Sequence, residues 1–349
     1  MHLGVWDMND REICWELLPK VSRSFALCIK ILPDPINDQM MLSYMIFRVI
    51  DTIEDSHASL QVKKSLFAKV LFLLSRRKAD DKFAKEVSRE LIAKLDYTYE
   101  KELLEQLPAL NRHLFSQPIA ARKAIVHRGR IMAKGMYEFQ KKPIETFADQ
   151  DRYSYYVAGV VGHLLNDLFC INGVISLKLK RSLARHAKGF GLALQKVNIL
   201  RDIADDIAAN RYYWPKKLLA KYGLEYSNIC SAENRDKALS VLREQIADAR
   251  KYIEAAMQYV LRLPKEALRV RMFCLIPLFM AIESFVKCMD NAEVFEAGKK
   301  VKISREQVTD IVTKSGLWGA NNERLVKWFL STMGNASPAI SDFAVYKRR

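Results

Sequence analysis

Apolar residues recur at intervals of three and four along most of this 349-residue sequence, and this spacing limits its fold more than any other feature. Only 13 glycines and 10 prolines interrupt the pattern, and the alternation typical of strands is hard to find. The sequence therefore predicts an all-α protein. The predicted helices cover residues 38–55, 59–76, 82–106, 119–140, 151–170, 178–208, 235–262, 266–290, 304–315 and 321–333.

These helices follow one another without a long polar linker, a low-complexity tract or an internal repeat. Hydrophobic residues make up 50% of the chain, which is enough for a substantial core. Although the length also permits two domains, the absence of a linker favours one. We therefore expect a single helical domain over residues 1–349.

The chain is strongly basic, because 56 Lys and Arg residues against 40 Asp and Glu residues give a formal net charge of +16. This charge favours anionic partners, such as nucleic acid, a membrane surface or phosphorylated substrates. Since the basic residues are scattered along the sequence, a solvated positive surface explains them equally well.

Cysteine usage and the N-terminal sequence indicate a location inside the cell. The six cysteines form no C-x-x-C pair, and several lie in apolar stretches where a buried thiol is the usual state. Residues 1–16 contain acids and lack the apolar core of an export signal. No apolar stretch reaches the roughly 20 residues that a membrane-spanning helix needs. We therefore expect a cytoplasmic protein in a reducing compartment.

Two acidic residues stand one helical turn apart near the end of the predicted helix 38–55. Asp51 and Asp55 share a helical face with Arg48, and Glu54 lies beside them. Like charges so placed repel each other unless a cation lies between them. Taken alone, this pair is better explained as the solvated acidic end of a helix.

A second acidic pair changes that interpretation. Gln195, Asn198, Asp202 and Asp206 follow one another at spacings of three, four and four, so they form a polar stripe on an otherwise apolar helix. Arg201 lies beside this pair, just as an arginine lies beside the first. Two such pairs suit Mg²⁺, which takes few carboxylate ligands and fills its other positions with phosphate oxygens and water. The four aspartates are therefore predicted metal ligands that face a diphosphate.

The sequence resembles the squalene and phytoene synthase family in six motifs. Two are the aspartate-rich segments Asp51–Asp55 and Asn198–Asp206. The other four occur in the family's order and at compatible intervals: Val21–Phe25, Tyr156–Gly162, Arg211–Pro215 and Phe273–Pro277. The resemblance extends from about residue 20 to about residue 310. The Ser-Arg-Ser-Phe, Tyr-Tyr-Trp-Pro and Phe-Cys-Leu-Ile-Pro sequences are more similar to the squalene-forming members than to the phytoene-forming ones.

This resemblance implies an isoprenoid synthase fold, a helical bundle around a central cavity. It also implies a Mg²⁺-dependent prenyltransferase that condenses two farnesyl diphosphate molecules head to head to presqualene diphosphate and then reduces this intermediate with NADPH to squalene. One alternative is a member that condenses without reduction and releases dehydrosqualene or phytoene. Another is a non-catalytic basic helical binding protein, although a protein that binds phosphate backbones gains nothing from carboxylates in its site.

The motifs also imply particular site residues. Tyr156 matches the tyrosine that the family places near the reacting carbons. Tyr156 and the four aspartates make up the expected catalytic set. In this set Tyr156 handles the proton or stabilises the cation. The alternative is that Tyr156 is a buried structural tyrosine. The expected substrate-binding residues are Ser22, Arg23, Ser24, Phe25, Arg48, Gln195, Asn198, Arg201, Arg211 and Phe273. For the arginines the alternative is ordinary salt bridging to the aspartates, and for the serines it is helix capping.

The nicotinamide site is harder to locate. No G-x-G-x-x-G motif follows a strand candidate, so NADPH would use an unconventional site. The resemblance indicates the basic segment Lys299–Arg305 and, within it, Lys302 and Arg305. Ser304 stands where squalene-forming members often carry a base, which leaves a solvated basic loop as the alternative. The choice between NADPH and NADH is open.

The expected partners follow from this chemistry. They are two farnesyl diphosphate molecules, no nucleic acid, and a membrane in peripheral contact, because the product is too apolar to diffuse freely in water. We expect a monomer. Eukaryotic family members carry a C-terminal hydrophobic anchor that the residues up to Arg349 lack, which leaves a bacterial-type enzyme and a shortened chain as alternatives.

Overall fold

The computed structural model describes residues 9–95, 100–299 and 301–334, apart from the side chains of Arg23 and Ser24. Every regular element in these residues is a helix and none is a strand, so the all-α prediction is confirmed. None of the described helices is long and apolar enough to cross a membrane. The chain divides into two compact units, unit 1 (Met1–Gln140 and Asp167–Asn172) and unit 2 (Lys141–Asn166 and Gly173–Arg349). The prediction of a single domain stays a prediction.

Unit 1 is organised by one long helix, α3. The helices that begin and end in the described part of unit 1 are α1 (Asp10–Val21), α2 (Arg23–Ile31), α3 (Ile36–Asp55), α4 (Leu60–Leu74), α5 (Asp81–Lys94), α6 (Lys101–Glu105), α7 (Leu107–Ser116) and α8 (Ile119–Phe139). The helix α3 packs against α1, α2, α4, α7 and α8, and most of its side chains are buried. Its last turn, which carries the first aspartate pair, is therefore held in a defined position within the unit.

Buried polar contacts fix the other end of α3. The Oδ1 atom of Asp38 accepts hydrogen bonds from Arg11 Nε at 2.9 Å and Trp15 Nε1 at 3.1 Å. Its Oδ2 atom accepts one from Gln117 Nε2 at 3.1 Å and lies 3.0 Å from Nε2 of His113. Burial alone would raise the pKa of Asp38, but His113 and Arg11 outweigh burial and lower the pKa to about 2. This carboxylate therefore links α1, α3 and the end of α7.

Unit 2 is organised by the helix α11, as unit 1 is by α3. The helices that begin in the described part of unit 2 are α9 (Phe147–Ser154), α10 (Val160–Ile171), α11 (Leu177–Arg201), α12 (Ile203–Ala208), α13 (Lys216–Lys221), α14 (Arg235–Arg262), α15 (Leu268–Cys288), α16 (Arg305–Trp318) and α17 (Asn322–Met333). A π-helical turn, Tyr155–Gly159, joins α9 to α10. The helix α11 packs against α9, this π turn, α14 and α15.

Two glycines let α11 approach the π turn and α10 with backbone touching backbone. A Cβ atom on Gly191 would lie 2.2 Å from the carbonyl oxygen of Ala158, and one on Gly162 would lie 1.9 Å from the carbonyl oxygen of Ala187. Real Cβ atoms do not come so close to backbone oxygens, so any other residue would push the helices apart. The π turn is thereby held against the helix that leads to the second aspartate pair.

Candidate functional site

The first aspartate pair lies in the last turn of α3, where Arg48 joins two carboxylates. Its Nη1 atom bonds to the carboxylate of Asp51, and its Nη2 atom lies 2.6 Å from Oε1 of Glu100. Glu100 is buried, and no sequence motif indicates this contact, because the two residues are far apart in the chain. The salt bridge that was the alternative explanation for Arg48 is therefore present, and its contact with phosphate stays a prediction.

The charges around Asp51 suit a cation. Burial and, next, the Asp55 carboxylate raise the pKa of Asp51 to about 6, although Arg48 acts in the opposite direction. A divalent cation between the two carboxylates would offset their repulsion and lower the pKa of Asp51 again. Carboxylate oxygens with incomplete counter-charge are the donors that a hard cation such as Mg²⁺ prefers, so this pair fits the metal.

Lys63 is another residue of this region that the sequence did not reveal. Its buried ammonium group donates to the backbone carbonyl of Glu54 at 2.6 Å and to Oε1 of Gln140 at 2.7 Å. Burial lowers the pKa of Lys63. A lysine that donates to a carbonyl in the last turn of a helix stabilises that end, so Lys63 supports the turn that carries the aspartates.

The Val21–Phe25 motif lies close to the same helix. Ser22 caps α2 by accepting the N–H of Phe25 at 3.3 Å, and it is also hydrogen-bonded to the hydroxyl of Tyr44 on α3. The ring centroids of Phe25 and Tyr44 are 5.4 Å apart, and Phe25 is 38% exposed. Capping, the alternative predicted for Ser22, is present. The side chains of Arg23 and Ser24 lie outside the described residues, so their predicted roles are untested.

The second aspartate pair spans the junction between α11 and α12. The sequence predicted one helix over 178–208, but α11 ends at Arg201, and Asp202 with φ −102° and ψ 14° separates it from α12. Nε and Nη2 of Arg201 lie 2.8 and 2.5 Å from the two carboxylate oxygens of Asp202. Adjacent side chains do not face each other on a regular helix, so this forked contact accompanies the break. The Asp206 N–H still donates to the Asp202 carbonyl at 2.8 Å, which keeps the two aspartates one turn apart.

The Arg211–Pro215 motif folds back onto this junction. Nε and Nη2 of Arg211 lie 3.1 and 3.0 Å from Oδ1 of Asp206, and the Arg211 N–H donates to the Asp206 carbonyl at 2.7 Å. The fully buried Trp214 donates from Nε1 to the carbonyl of Ile199 at 3.0 Å, which attaches the motif to α11. Arg211, like Arg201, is thus salt-bridged to an aspartate, and its contact with phosphate stays a prediction.

The α11 turn that carries Gln195 and Asn198 also carries a buried charge cluster. Asn198 is exposed and Gln195 is partly exposed, so both amides are open to a ligand. Lys196, between them, is 2% exposed; its Nζ atom lies 2.5 Å from Oδ1 of Asp151 and is hydrogen-bonded to Asp248. The two carboxylates compensate the buried ammonium group.

This cluster also fixes the position of α9. Lys196 Nζ donates to Oε1 of Gln150 at 2.9 Å, and the hydroxyl of Tyr252 on α14 donates to Asp151. Burial and the Asp151 carboxylate raise the pKa of Tyr252. Since Gln150 and Asp151 lie one turn before the π turn, Lys196 holds in place the segment that presents Tyr156. The sequence did not indicate this role because the partners of Lys196 come from two other helices, α9 and α14.

Tyr156 lies in the π turn rather than in the regular α-helix that the sequence predicted over 151–170. A π turn inserts an extra residue into a helix, changes the direction of the side chains that follow, and is frequent at functional sites. Tyr156 is half-buried. Its ring centroid lies 5.5 Å from that of Tyr155, and the guanidinium carbon of Arg152 lies 5.9 Å from it. Its catalytic role stays a prediction.

In the proposed cofactor segment, residues 301–304 form a loop that leads into α16. Lys302 and Arg305 are exposed, and the carbonyl of Lys302 accepts a hydrogen bond from Lys287 Nζ at 2.9 Å. Ser304, which replaces the family's frequent base, is the N-cap of α16 and forms a capping box with Gln307. Capping therefore gives a physical reason for serine at this position. Lys300 lies outside the described residues.

Phe273, on α15, is 4% exposed, so it can contribute to an apolar wall but makes no open surface.

Within residues 9–95, 100–299 and 301–334, no group of three or more His, Cys, Asp or Glu side chains forms a ready-made metal cage. Each aspartate pair would therefore need phosphate oxygens and water to complete the coordination of an ion. Mg²⁺ is the ion that binds in this way.

Comparisons with known proteins agree with this geometry. A family model described as squalene/phytoene synthase matches residues 18–307. Squalene synthase BSS of Botryococcus braunii is 32% identical over 309 residues, covering 85% of this chain and 63% of the relative. Squalene synthase of Solanum lycopersicum is 32% identical over 314 residues, covering 88% of this chain and 72% of the relative. The chain thus spans less than two thirds of the length of the Botryococcus relative.

Solved structures show the same fold. The complex of TcSQS with a ligand superposes with a TM-score of 0.79 and 29% sequence identity, covering 97% of this chain and 94% of that one. A dehydrosqualene synthase bound to a ligand superposes with a TM-score of 0.58 at 18% identity and shares the fold alone. The predicted all-helical isoprenoid synthase fold is therefore confirmed.

Proposed function

The chain belongs to the squalene/phytoene synthase family, and from that membership we propose that it condenses two farnesyl diphosphate molecules to presqualene diphosphate and then forms squalene with NADPH. The observation that carries the proposal is the presence of two aspartate pairs, each beside an arginine, in a chain similar to squalene synthases. Scattered basic residues alone would suit any anion, but paired carboxylates suit a metal-bound diphosphate.

The four aspartates Asp51, Asp55, Asp202 and Asp206 are the proposed metal ligands. When bound, Mg²⁺ supplies Lewis-acid stabilisation of the negative charge on the departing diphosphate. The three nearby arginines are salt-bridged to aspartates of these pairs. Once a metal compensates the carboxylates, each guanidinium is available to donate a forked pair of hydrogen bonds to phosphate oxygens.

The residues around the reacting carbons have separate proposed roles. The condensation releases a proton, and we assign Tyr156 to handling this proton or stabilising the cation, although the departing diphosphate can accept the proton instead. The proposed role of Phe25 and Phe273 is to stabilise the cation through their ring faces and to exclude water. Ser22, Gln195 and Asn198 orient the diphosphates.

The reductive half of the reaction needs hydride from NADPH. Lys302 and Arg305 are the proposed contacts to the cofactor phosphates. Both are exposed: Lys302 lies on the loop before α16, and Arg305 is the first residue of that helix. Ser304 acts as a helix cap and supplies no charge here, which favours a second candidate. In that candidate the chain condenses without reduction and releases dehydrosqualene.

The remaining parts of the proposal concern the setting of the enzyme. We infer a monomer of one catalytic domain that works in the cytoplasm against the inner face of a membrane. The apolar product supports this setting, because it must pass from the protein into lipid. The high net charge of +16 supports it as well, because anionic lipids attract basic proteins.

One experiment separates the two candidate products. The full chain is incubated with farnesyl diphosphate and Mg²⁺, with and without NADPH, and the C30 products and NADPH absorbance are followed. We expect presqualene diphosphate to accumulate without NADPH and squalene to form when NADPH is added. If dehydrosqualene forms and NADPH is not consumed, the product assignment is wrong. If no diphosphate is released under either condition, the condensation itself is refuted.

A further inference from the structure

An open pocket of about 490 Å³ lies at the surface of unit 2. The residues that line it come later in the sequence than every residue with a proposed catalytic role. Its lining comes from α16 and α17 alone: Lys314, Trp318, Arg324, Lys327, Trp328 and Ser331. Three cationic side chains thus surround two indole rings. No residue of this pocket belongs to the six motifs or to the proposed cofactor contacts.

Helical spacing aligns these side chains in two rows. On α16, Lys314 and Trp318 are one turn apart, and Leu317 lies on the same side at the i+3 position. On α17, Arg324, Lys327 and Trp328 share one face. The ammonium group of Lys314 lies 5.6 Å from the ring centroid of Trp318, so charge and aromatic surface are interleaved within the pocket.

The aromatic floor of the pocket is rigid. Trp328 is 5% exposed and stacks on the buried Phe279 at 3.4 Å with an interplanar angle of 7°. Trp318 contacts Trp328 edge-on at 5.7 Å. Beside this floor, Leu317 is 69% exposed, which is the highest exposure among the large hydrophobic residues of the described chain. Together with the two indole rings, this side chain gives the surface an apolar portion, and covering that portion removes apolar area from water.

The cations at the rim remain available to an anion. Lys314 pairs with Asp310 at 2.6 Å and Lys327 with Glu323 at 2.9 Å, but both acids are more than half exposed, and such surface pairs contribute little. Arg324 is exposed on the same rim. A ligand that suits this surface carries an anionic group, such as a phosphate, for the cations and an apolar portion for the indoles and Leu317.

We propose that this α16–α17 pocket docks the protein on a membrane by binding the phosphate headgroup of an anionic lipid, while Leu317 inserts among the acyl chains. Tryptophan rings settle at the boundary between headgroups and hydrocarbon, and lysine and arginine add attraction to anionic lipid there. The inference gives the proposed membrane contact a defined location. Its test measures lipid binding without turnover, so its failure is distinguishable from a failure of the proposed activity.

The test is flotation of the full chain with vesicles of phosphatidylcholine, with and without phosphatidylglycerol. We expect binding to the phosphatidylglycerol vesicles and weak binding to phosphatidylcholine alone. The double variant Arg324→Gln/Lys327→Gln should weaken binding about 25-fold, since each basic residue near an anionic surface contributes about fivefold. Leu317→Ser should weaken it roughly tenfold or more, because an inserted leucine side chain is lost.

The matched control is Lys82→Gln/Lys85→Gln on α5 of unit 1, which removes the same charge from two exposed lysines. It should reduce binding less than the Arg324→Gln/Lys327→Gln variant does, since neither lysine lines the pocket. Circular dichroism checks that all variants are folded. Equal losses in both double variants, or no binding to either vesicle, would overturn the proposal. So would displacement from vesicles by soluble glycerol 3-phosphate, because the pocket would then take free phosphates rather than a membrane.

Discussion

Neutralising one buried carboxylate in unit 1 should destabilise the protein in a pH-dependent way. Asp38 has its pKa lowered to about 2 from an ordinary value of 3.8, with only 8% of its side chain exposed. Because the folded-state pKa is depressed, the stabilisation is complete above the unfolded-state pKa and is lost as the pH falls through the folded-state value. The shift corresponds to about 2 kcal/mol at pH 6 and about 1 kcal/mol at pH 3. Asp38→Asn should therefore cost about 2 kcal/mol at the higher pH and half of that at the lower.

The assay is urea unfolding at the two pH values, followed by circular dichroism. Asp34→Asn is the matched control, because Asp34 also pairs with Arg11, at 2.9 Å, but is 68% exposed. An exposed pair contributes about 0.5 kcal/mol or less, so this variant should stay close to the wild type at both pH values. The reasoning is refuted if the two variants cost the same, or if the cost of Asp38→Asn does not shrink between pH 6 and pH 3.

Four further predictions concern the site and its support. Asp51→Asn and Asp202→Asn should each keep the helical circular dichroism spectrum and lower turnover about a hundredfold or more, since a Lewis-acid metal contributes several kcal/mol. EDTA should lower turnover in the same way, and added Mg²⁺ should restore it. Full activity in both variants would remove the metal assignment. Tyr156→Phe should slow formation of presqualene diphosphate from farnesyl diphosphate at least about a hundredfold, and a near-normal rate would make it a packing residue. Lys302→Glu should raise the KM for NADPH about tenfold while sparing the first half-reaction, and an unchanged KM would place the cofactor elsewhere. Gly191→Ala should lower the thermal midpoint by several degrees, because its Cβ would lie 2.2 Å from a backbone oxygen, and an unchanged midpoint would show that α11 can shift at little cost.

The fold followed from periodicity wherever a helix has a continuous apolar face. The predicted helix 235–262 coincides with α14, and 119–140 differs from α8 by one residue. The helix prediction was wrong where each proline was treated only as a residue that ends a helix. The helices α1, α2, α7 and α13 were all missed, although Pro108 lies in the first turn of α7, where its missing N–H costs nothing. The predicted helix 82–106 was also wrong, since α5 ends at Lys94 and α6 begins at Lys101.

The residues of the candidate site also fall into those that spacing along one helix predicts and those that it does not. Spacing along one helix was enough to find both aspartate pairs, because residues three or four apart share a face whatever the rest of the chain does. The groups that support them come from distant segments: Glu100 joins Arg48, and Asp151 and Asp248 enclose Lys196. Their presence has a common cause, since a basic group drawn into the protein beside a functional surface costs free energy unless carboxylates accompany it. A one-dimensional pattern identifies the groups that face the ligand, and only the packed structure shows which charges compensate them.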